Sequence, residues 1–265
     1  MNTVSSAPPL PSYKRPPVIE TSFGIVFQSL SATMQTRHFG QFWTEQRGDF
    51  PTTSDANPLL DVSDIEAQRL VLLNMPPLRR MTCFSGDQQY VMQVQDSRLY
   101  LNWRKRTPET EYPRYPSVHD RFQKLRSDFE EFVKREQIGT VSILRYELVY
   151  VNHIPLGPKV AQSLEEHVKL FHFSPIQTEY LSPPESVNTN WKFAMPNQRG
   201  TATATLSNAT DATGQNILVL VLTCIGTPSE KYSAREWFQS GHEWIVRSFT
   251  ELTTDAAHRK WERER

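Results

Sequence analysis

Apolar and polar residues alternate along several short segments of the chain, and this two-residue period predicts β-strands. Phe23, Ile25 and Phe27 share one face of residues 18–30. Residues 88–106 alternate on both sides of Asp96-Ser97, which predicts a β-hairpin with a tight turn. Further strands are predicted over residues 80–84, 141–154, 190–195, 201–206 and 216–225, the last of which is apolar on both faces.

Other segments repeat their apolar residues every three to four positions, which predicts amphipathic helices. These segments are residues 32–49, 118–136 and 233–252, with Phe129 and Trp244 expected on the buried faces of the last two. A short helix is predicted over residues 163–170, whereas residues 65–73 fit either a helix or a strand. Together the elements predict an α+β fold, with mostly antiparallel curved sheets packed on two long helices.

The order strand, helix, strands, long helix occurs twice, which predicts two topologically similar halves. We therefore divide the chain into a Pro-rich N-terminal arm (residues 1–17), a first α+β half (residues 18–138), a second half (residues 139–254) and a charged C-terminal extension (residues 255–265). Five prolines within the arm favour an extended, disordered tail, and the alternative is an arm that lies along a partner.

Composition narrows the classes of function that the chain can have. Lys and Arg number 29 and Asp and Glu number 29, and this balance argues against a surface built throughout for nucleic acid. Cys83 and Cys224 stand far apart among apolar neighbours, which predicts two buried free thiols in a reducing compartment and hence a cytoplasmic protein. The longest apolar run, residues 217–222, is far shorter than a membrane span of about 20 residues, so no membrane association is predicted.

The sequence contains no recognisable catalytic motif. His242-Glu243 begins like a metalloprotease helix, but Val246 stands where the second histidine belongs. Neither thiol has a neighbouring histidine, and the chain contains no nucleophile elbow and no Gly-rich phosphate loop. We therefore predict no cofactor, no metal and no catalytic residues, and favour a protein that is not an enzyme. A nuclease that uses dispersed Asp, Glu and Lys residues remains an alternative.

Residues 98–115 are the best candidate for a functional surface, because arginines and aromatic residues alternate there. An arginine offers a planar fork of donors and an aromatic ring offers a stacking face, so together they suit a phosphate, a carboxylate or a base. The competing interpretation is a strand whose cations pair with carboxylates of the fold, and base rates favour it. The candidate binding residues are Arg98, Tyr100, Asn102, Arg104, Arg106, Tyr112, Arg114 and Tyr115.

The segments NWR…YPRY (residues 102–115) and HEWIV…FTELTT (residues 242–254) resemble a sporadically distributed bacterial family of uncharacterised proteins of about 250 residues. The resemblance extends from the Pro-rich N-terminus to the last helix. It implies an accessory gene product, of the kind found in defence, toxin–antitoxin or regulatory systems, and it implies no catalytic residues.

Our leading hypothesis is a non-enzymatic protein that binds another protein in such a complex. The alternative is a ligand or nucleic-acid sensor that uses the surface between Arg98 and Tyr115, with nucleic acid the less favoured partner.

Overall fold

The structure is a computed structural model that describes residues 9–59, 79–156, 166–169, 186, 188–211 and 213–265. The predicted segment at residues 65–73 and half of the predicted helix at residues 163–170 lie outside these ranges. The chain forms two compact units: a first unit of residues 20–147 and 227–230, and a second unit of residues 1–19, 148–226 and 231–265. The predicted boundary at residue 139 falls between the last helix of the first unit and the strand that follows it.

The described residues confirm the α+β class and form nine strands and four α-helices. The strands are β1 (Val18–Phe27), β2 (Thr52–Ala56), β3 (Arg80–Phe84), β4 (Tyr90–Gln95), β5 (Arg98–Arg104), β6 (Ile143–Pro155), β7 (Asn188–Ala194), β8 (Thr201–Thr210) and β9 (Asn216–Gly226). The helices are α1 (Thr36–Gln46), α2 (Arg114–Arg135), α3 (Ala234–Leu252) and α4 (Asp255–Lys260).

In the first unit the strand order is β2-β3-β4-β5-β1-β6, and the pairs from β2 through β5 to β1 are antiparallel. Helices α1 and α2 pack on one face of this sheet, which we call the helix face. Phe129 of α2 lies 5.6 Å from the ring of Phe27 and 5.2 Å from that of Phe42. The opposite face of the sheet, which we call the outer face, carries mostly polar side chains.

In the second unit the strand order is β6-β9-β8-β7, and α3 packs on the sheet. Gly241 of α3 allows this close approach, because a Cβ atom there would lie only 3.3 Å from Leu148 and 3.5 Å from Cys224. Trp237 is fully buried and donates its indole N–H to the carbonyl of Arg199 at 2.8 Å. Helix α3 therefore packs closely on β6 and β9 at Gly241.

The N-terminal arm is not a disordered tail over its described residues, 9–17. Tyr13 is buried in the second unit and forms an antiparallel bridge with Arg263. The amide of Lys14 donates to the carbonyl of Glu262 at 3.0 Å, and the amide of Glu264 donates to the carbonyl of Ser12 at 2.9 Å. The predicted extension after residue 254 is likewise folded: it forms α4 and then the strand-like segment that pairs with the arm.

The predicted helices form with small differences in their bounds. Helix α2 has 22 residues and begins four residues before the predicted start, whereas α1 has 11 residues and α4 only 6. Trp244 is half-buried rather than part of the core of α3, and its ring lies 5.6 Å from that of Phe193. Among the described residues, every helix is too short or too polar to span a bilayer.

Candidate functional site

The candidate residues between Arg98 and Tyr115 are divided between the two faces of the first-unit sheet. Strand β5 places Arg98, Tyr100, Asn102 and Arg104 on the outer face, because side chains alternate along a strand. Tyr112 instead lies on the helix face, with its ring 5.2 Å from that of Trp103. The sequence placed these side chains in one surface, and the structure separates them.

Tyr115 belongs to the core, and Arg114 begins the helix beside it. The ring of Tyr115 is 7% exposed, stacks on His119 at 5.1 Å and lies 5.7 Å from the ring of Phe23. Arg114 is exposed at the first position of α2 with φ 69°. These two residues therefore stand apart from the outer-face row of β5.

A hydrogen-bonded chain of polar side chains begins at Arg98 on the outer face. A binding face would require Arg98 to be substantially exposed, and it is only 4% exposed. It donates to the hydroxyl of Tyr100 at 3.3 Å, and that hydroxyl donates to Glu147 Oε2 at 2.7 Å. Arg145 donates to the other oxygen of Glu147 at 2.6 Å. Burial, followed by the negative charge of Glu147, raises the pKa of Tyr100, so its hydroxyl stays protonated and donates.

Gly24 makes this position of the Tyr100 ring possible. Gly24 pairs directly with Tyr100 across β1 and β5. A Cβ atom at Gly24 would lie 2.2 Å from Cδ1 and Cε1 of the ring, far inside van der Waals contact. The ring therefore lies flat across the glycine and reaches Glu147 on β6.

A second polar chain crosses the outer face at Asn102, which is 9% exposed. Its amide donates to Glu20, and its side-chain oxygen accepts from Gln93 at 3.0 Å and from Ser22 at 3.2 Å. Gln93 in turn accepts from Arg80 at 2.6 Å. The hydrogen bonds described for both chains lie within the fold, which matches the structural interpretation of this part of the row.

Arg104 differs from its neighbours, because it does not pair with the carboxylate opposite it. Glu20 pairs with Arg104 in the β-register, yet it accepts from the amide of Asn102 instead. Arg104 turns the other way, donates its Nε–H to the carbonyl of Gln88 at 3.0 Å and places its guanidinium 5.2 Å from the centre of the Phe84 ring. One of the five N–H donors of Arg104 is thus bound to the backbone of the β3–β4 turn, and the side chain stays partly exposed.

Two further cations follow directly in the chain. Arg106 is exposed and its Nη2 lies 3.5 Å from the side-chain oxygen of Gln88, a residue held at φ 58°. Among the described residues, Arg104, Lys105 and Arg106 have no carboxylate ion pair, whereas Arg126 and Arg145 each bind a glutamate within 2.7 Å. Burial, followed by the positive charge of Arg106, lowers the pKa of Arg104, and Glu20 opposes this effect.

We call the group of Phe84, Gln88, Arg104, Lys105 and Arg106 the arginine surface. Only Arg104 and Arg106 belong to the candidate residues predicted from the sequence. The sequence did not predict Phe84 and Gln88 as members of this surface. They lie on β3 and on the β3–β4 turn, and their contact with β5 depends on how the strands pair in the sheet. The sequence contained one indication that Phe84 belongs to the outer face. Arg80, Thr82 and Phe84 alternate with the buried residues of β3 and so share that face.

Neither cysteine belongs to the arginine surface. Cys83 and Cys224 are free and buried, as predicted, and burial raises the pKa of each thiol to about 12. Such thiols carry almost no thiolate at neutral pH and so are poor nucleophiles. In the part of the chain that the structure describes, no three His, Cys, Asp or Glu side chains are grouped to hold a metal ion.

Known proteins give no further information on the site. No protein-family model matches the chain, and no curated protein matches it at a significant level. The bacterial family resemblance therefore stays a prediction.

Proposed function

We propose that this chain is a non-enzymatic binding protein, and that the arginine surface binds an acidic segment of another protein. The observation that supports this proposal most strongly is the conformation of Arg104. An arginine opposite a glutamate in an antiparallel pair ordinarily gains from pairing with it. Here the guanidinium lies against Phe84 and donates its Nε–H to the carbonyl of Gln88 instead, and among the described residues no carboxylate pairs with it.

The chemistry of the surface suits carboxylates. A guanidinium that rests on an aromatic ring keeps its planar fork in one orientation, and it loses less entropy when it binds a carboxylate in bidentate geometry. Gln88 holds the fork of Arg104 through its backbone and contacts Arg106 through its side chain, so both cations are positioned before a partner arrives. Preorganised donors of this kind favour binding.

The charge around the surface favours a short acidic segment over nucleic acid. A protein that binds duplex DNA typically contacts about 6–10 phosphates. The arginine surface offers three cations and is flanked by Asp87, Glu109 and Glu111. These carboxylates would repel a long polyanion, but they leave room for one or two carboxylates at Arg104 and Arg106.

Binding of two labelled probes of equal charge tests the proposal. One is a short peptide of Asp and Glu residues, and the other is a single-stranded oligonucleotide, each followed by fluorescence anisotropy at low and at physiological salt. We expect the peptide to bind at least as tightly as the oligonucleotide, with an affinity that falls as salt rises. Absence of peptide binding at low salt contradicts the proposal.

The alternative is a nucleic-acid or ligand sensor. The contact of the Arg104 guanidinium with the Phe84 ring favours it, since surfaces that combine cations with aromatic rings also stack bases. Binding of the oligonucleotide about tenfold more tightly than the peptide supports this alternative and rejects the acidic segment.

The biological setting stays part of the proposal. The resemblance to a sporadically distributed bacterial family supports a cytoplasmic component of a defence, toxin–antitoxin or regulatory complex. We also keep the hypothesis of two topologically similar halves with long helices, because each unit pairs an antiparallel sheet with a helix, of 22 residues in α2 and 19 in α3.

A further inference from the structure

The N-terminal arm is fastened to the second unit by one aromatic side chain and a short strand pairing. Tyr13 is 4% exposed and contacts the rings of Phe249 at 5.5 Å, His258 at 5.5 Å and Trp261 at 6.2 Å. Its hydroxyl lies 2.8 Å from Thr250 Oγ1. Exposed Lys14 and Arg15 form ion pairs with Glu262, and such exposed pairs contribute little to holding the arm.

His258 belongs to the aromatic cluster around Tyr13 and is 3% exposed. The hydroxyl of Thr253 donates to the carbonyl of Phe249 at 2.6 Å, so its oxygen accepts from His258 Nε2 at 2.8 Å. Nε2 therefore carries the proton of the neutral ring. The other nitrogen, Nδ1, is left as an acceptor for Arg263 Nη1 at 3.4 Å.

Protonation of His258 removes this arrangement. A proton on Nδ1 would face the N–H group of Arg263, and a donor would then meet a donor. Arg263 is the residue that forms the backbone bridge with Tyr13, so repulsion at its side chain acts directly on the arm. We propose that residues 9–17 form a strap that opens in mild acid, when His258 takes up a proton.

The charges around His258 set the direction of the effect. Burial lowers the pKa of His258, and Arg263 and Lys169 lower it further, whereas Asp255 and the backbone of Thr250 oppose them. Asp255 Oδ1 lies 3.6 Å from Nδ1, but its side chain is mostly exposed. A histidine with a lowered folded pKa stabilises the closed state above its unfolded pKa of about 6.5. This contribution is lost as pH falls from about 6.5 through the folded pKa.

Hydrogen exchange on the full chain measures the strap directly. The amides of Lys14, Arg15 and Glu264 form the backbone bonds between the arm and the C-terminal segment. We expect their protection factors to fall by about tenfold between about pH 7.5 and about pH 5, because the pKa of His258 is lowered in the closed state. Protection in β9 should not change in parallel.

Variants separate the histidine from general acid sensitivity. His258→Gln keeps a neutral side chain that donates and accepts, so the pH dependence should disappear. Asp255→Asn removes the opposing carboxylate and should move opening to higher pH. His38→Gln, on α1 of the first unit, is the matched control and should leave the pH dependence unchanged. Constant protection from about pH 7.5 to about pH 5 in the wild type, or persistence of the pH dependence in His258→Gln, overturns the proposal.

Discussion

Gly24→Ala is a direct perturbation of the outer face, because it adds one methyl group beneath the Tyr100 ring. The new Cβ atom would lie 2.2 Å from two ring atoms, whereas ordinary contact begins at 3.4 Å. The ring must therefore move by more than about 1 Å. Such overpacking costs about 1–3 kcal/mol. The movement also breaks the 2.7 Å hydrogen bond to Glu147, which adds about 1 kcal/mol.

We therefore expect Gly24→Ala to lower the free energy of unfolding by about 2–4 kcal/mol. At about 2–4 °C per kcal/mol this corresponds to a drop in Tm of about 4–16 °C. Urea unfolding followed by circular dichroism and a thermal scan measure both quantities. Gly40→Ala is the matched control: nothing lies within 4 Å of its added methyl group on α1, so it should stabilise the protein by about 0.5–1 kcal/mol.

A double-mutant cycle distinguishes the clash from a general cost of alanine in β1. In a Tyr100→Leu background the ring is absent, so Gly24→Ala should cost much less than in the wild type. An equal cost in both backgrounds, or a Gly24→Ala protein as stable as the wild type, refutes the reasoning.

Further predictions concern the cores, a helix cap and the thiols. Phe129→Ala should cost about 3–5 kcal/mol in urea unfolding, and half-buried Trp244→Ala should cost less; equal costs would contradict the assignment of Trp244 to the margin of the core. Ser233→Ala should cost about 1 kcal/mol, because Ser233 caps α3 in a reciprocal capping box; a neutral change would show that the cap contributes nothing. Cys83 and Cys224 should react with a thiol reagent only after denaturation, so rapid reaction of the native protein contradicts their burial. A chelator should leave Tm unchanged, and stoichiometric zinc in the purified protein would contradict this.

Local patterns were sufficient to predict most elements of the first unit. Phe23, Ile25 and Phe27 alternate within one strand, and the β4–β5 hairpin closes over a two-residue turn, so neither depends on distant parts of the chain. The apolar stripe of α2 is also local, because residues three and four apart share a helix face. Elements of this kind are the ones that sequence periodicity predicts well.

The periodicity of the sequence could not predict which residues of the candidate surface are exposed or which of them meet. Alternation correctly placed Arg98 and Tyr100 on one face, but it does not tell whether that face is open to solvent. The contact between Arg104 and Phe84 depends on the order and register of three strands. The docking of Tyr13 depends on a contact between residues more than 200 positions apart, which no local pattern encodes.

Arg104→Ala tests the central claim most directly, since the functional and structural interpretations predict opposite results for the same protein. Affinity for the labelled acidic peptide and thermal unfolding are measured on each variant, with exposed Arg47→Ala as the matched control. We predict that Arg104→Ala weakens peptide binding by about 1–3 kcal/mol with little change in Tm, and that Arg47→Ala changes neither. Unaltered peptide binding together with a clear drop in Tm would contradict the account and make Arg104 a structural residue.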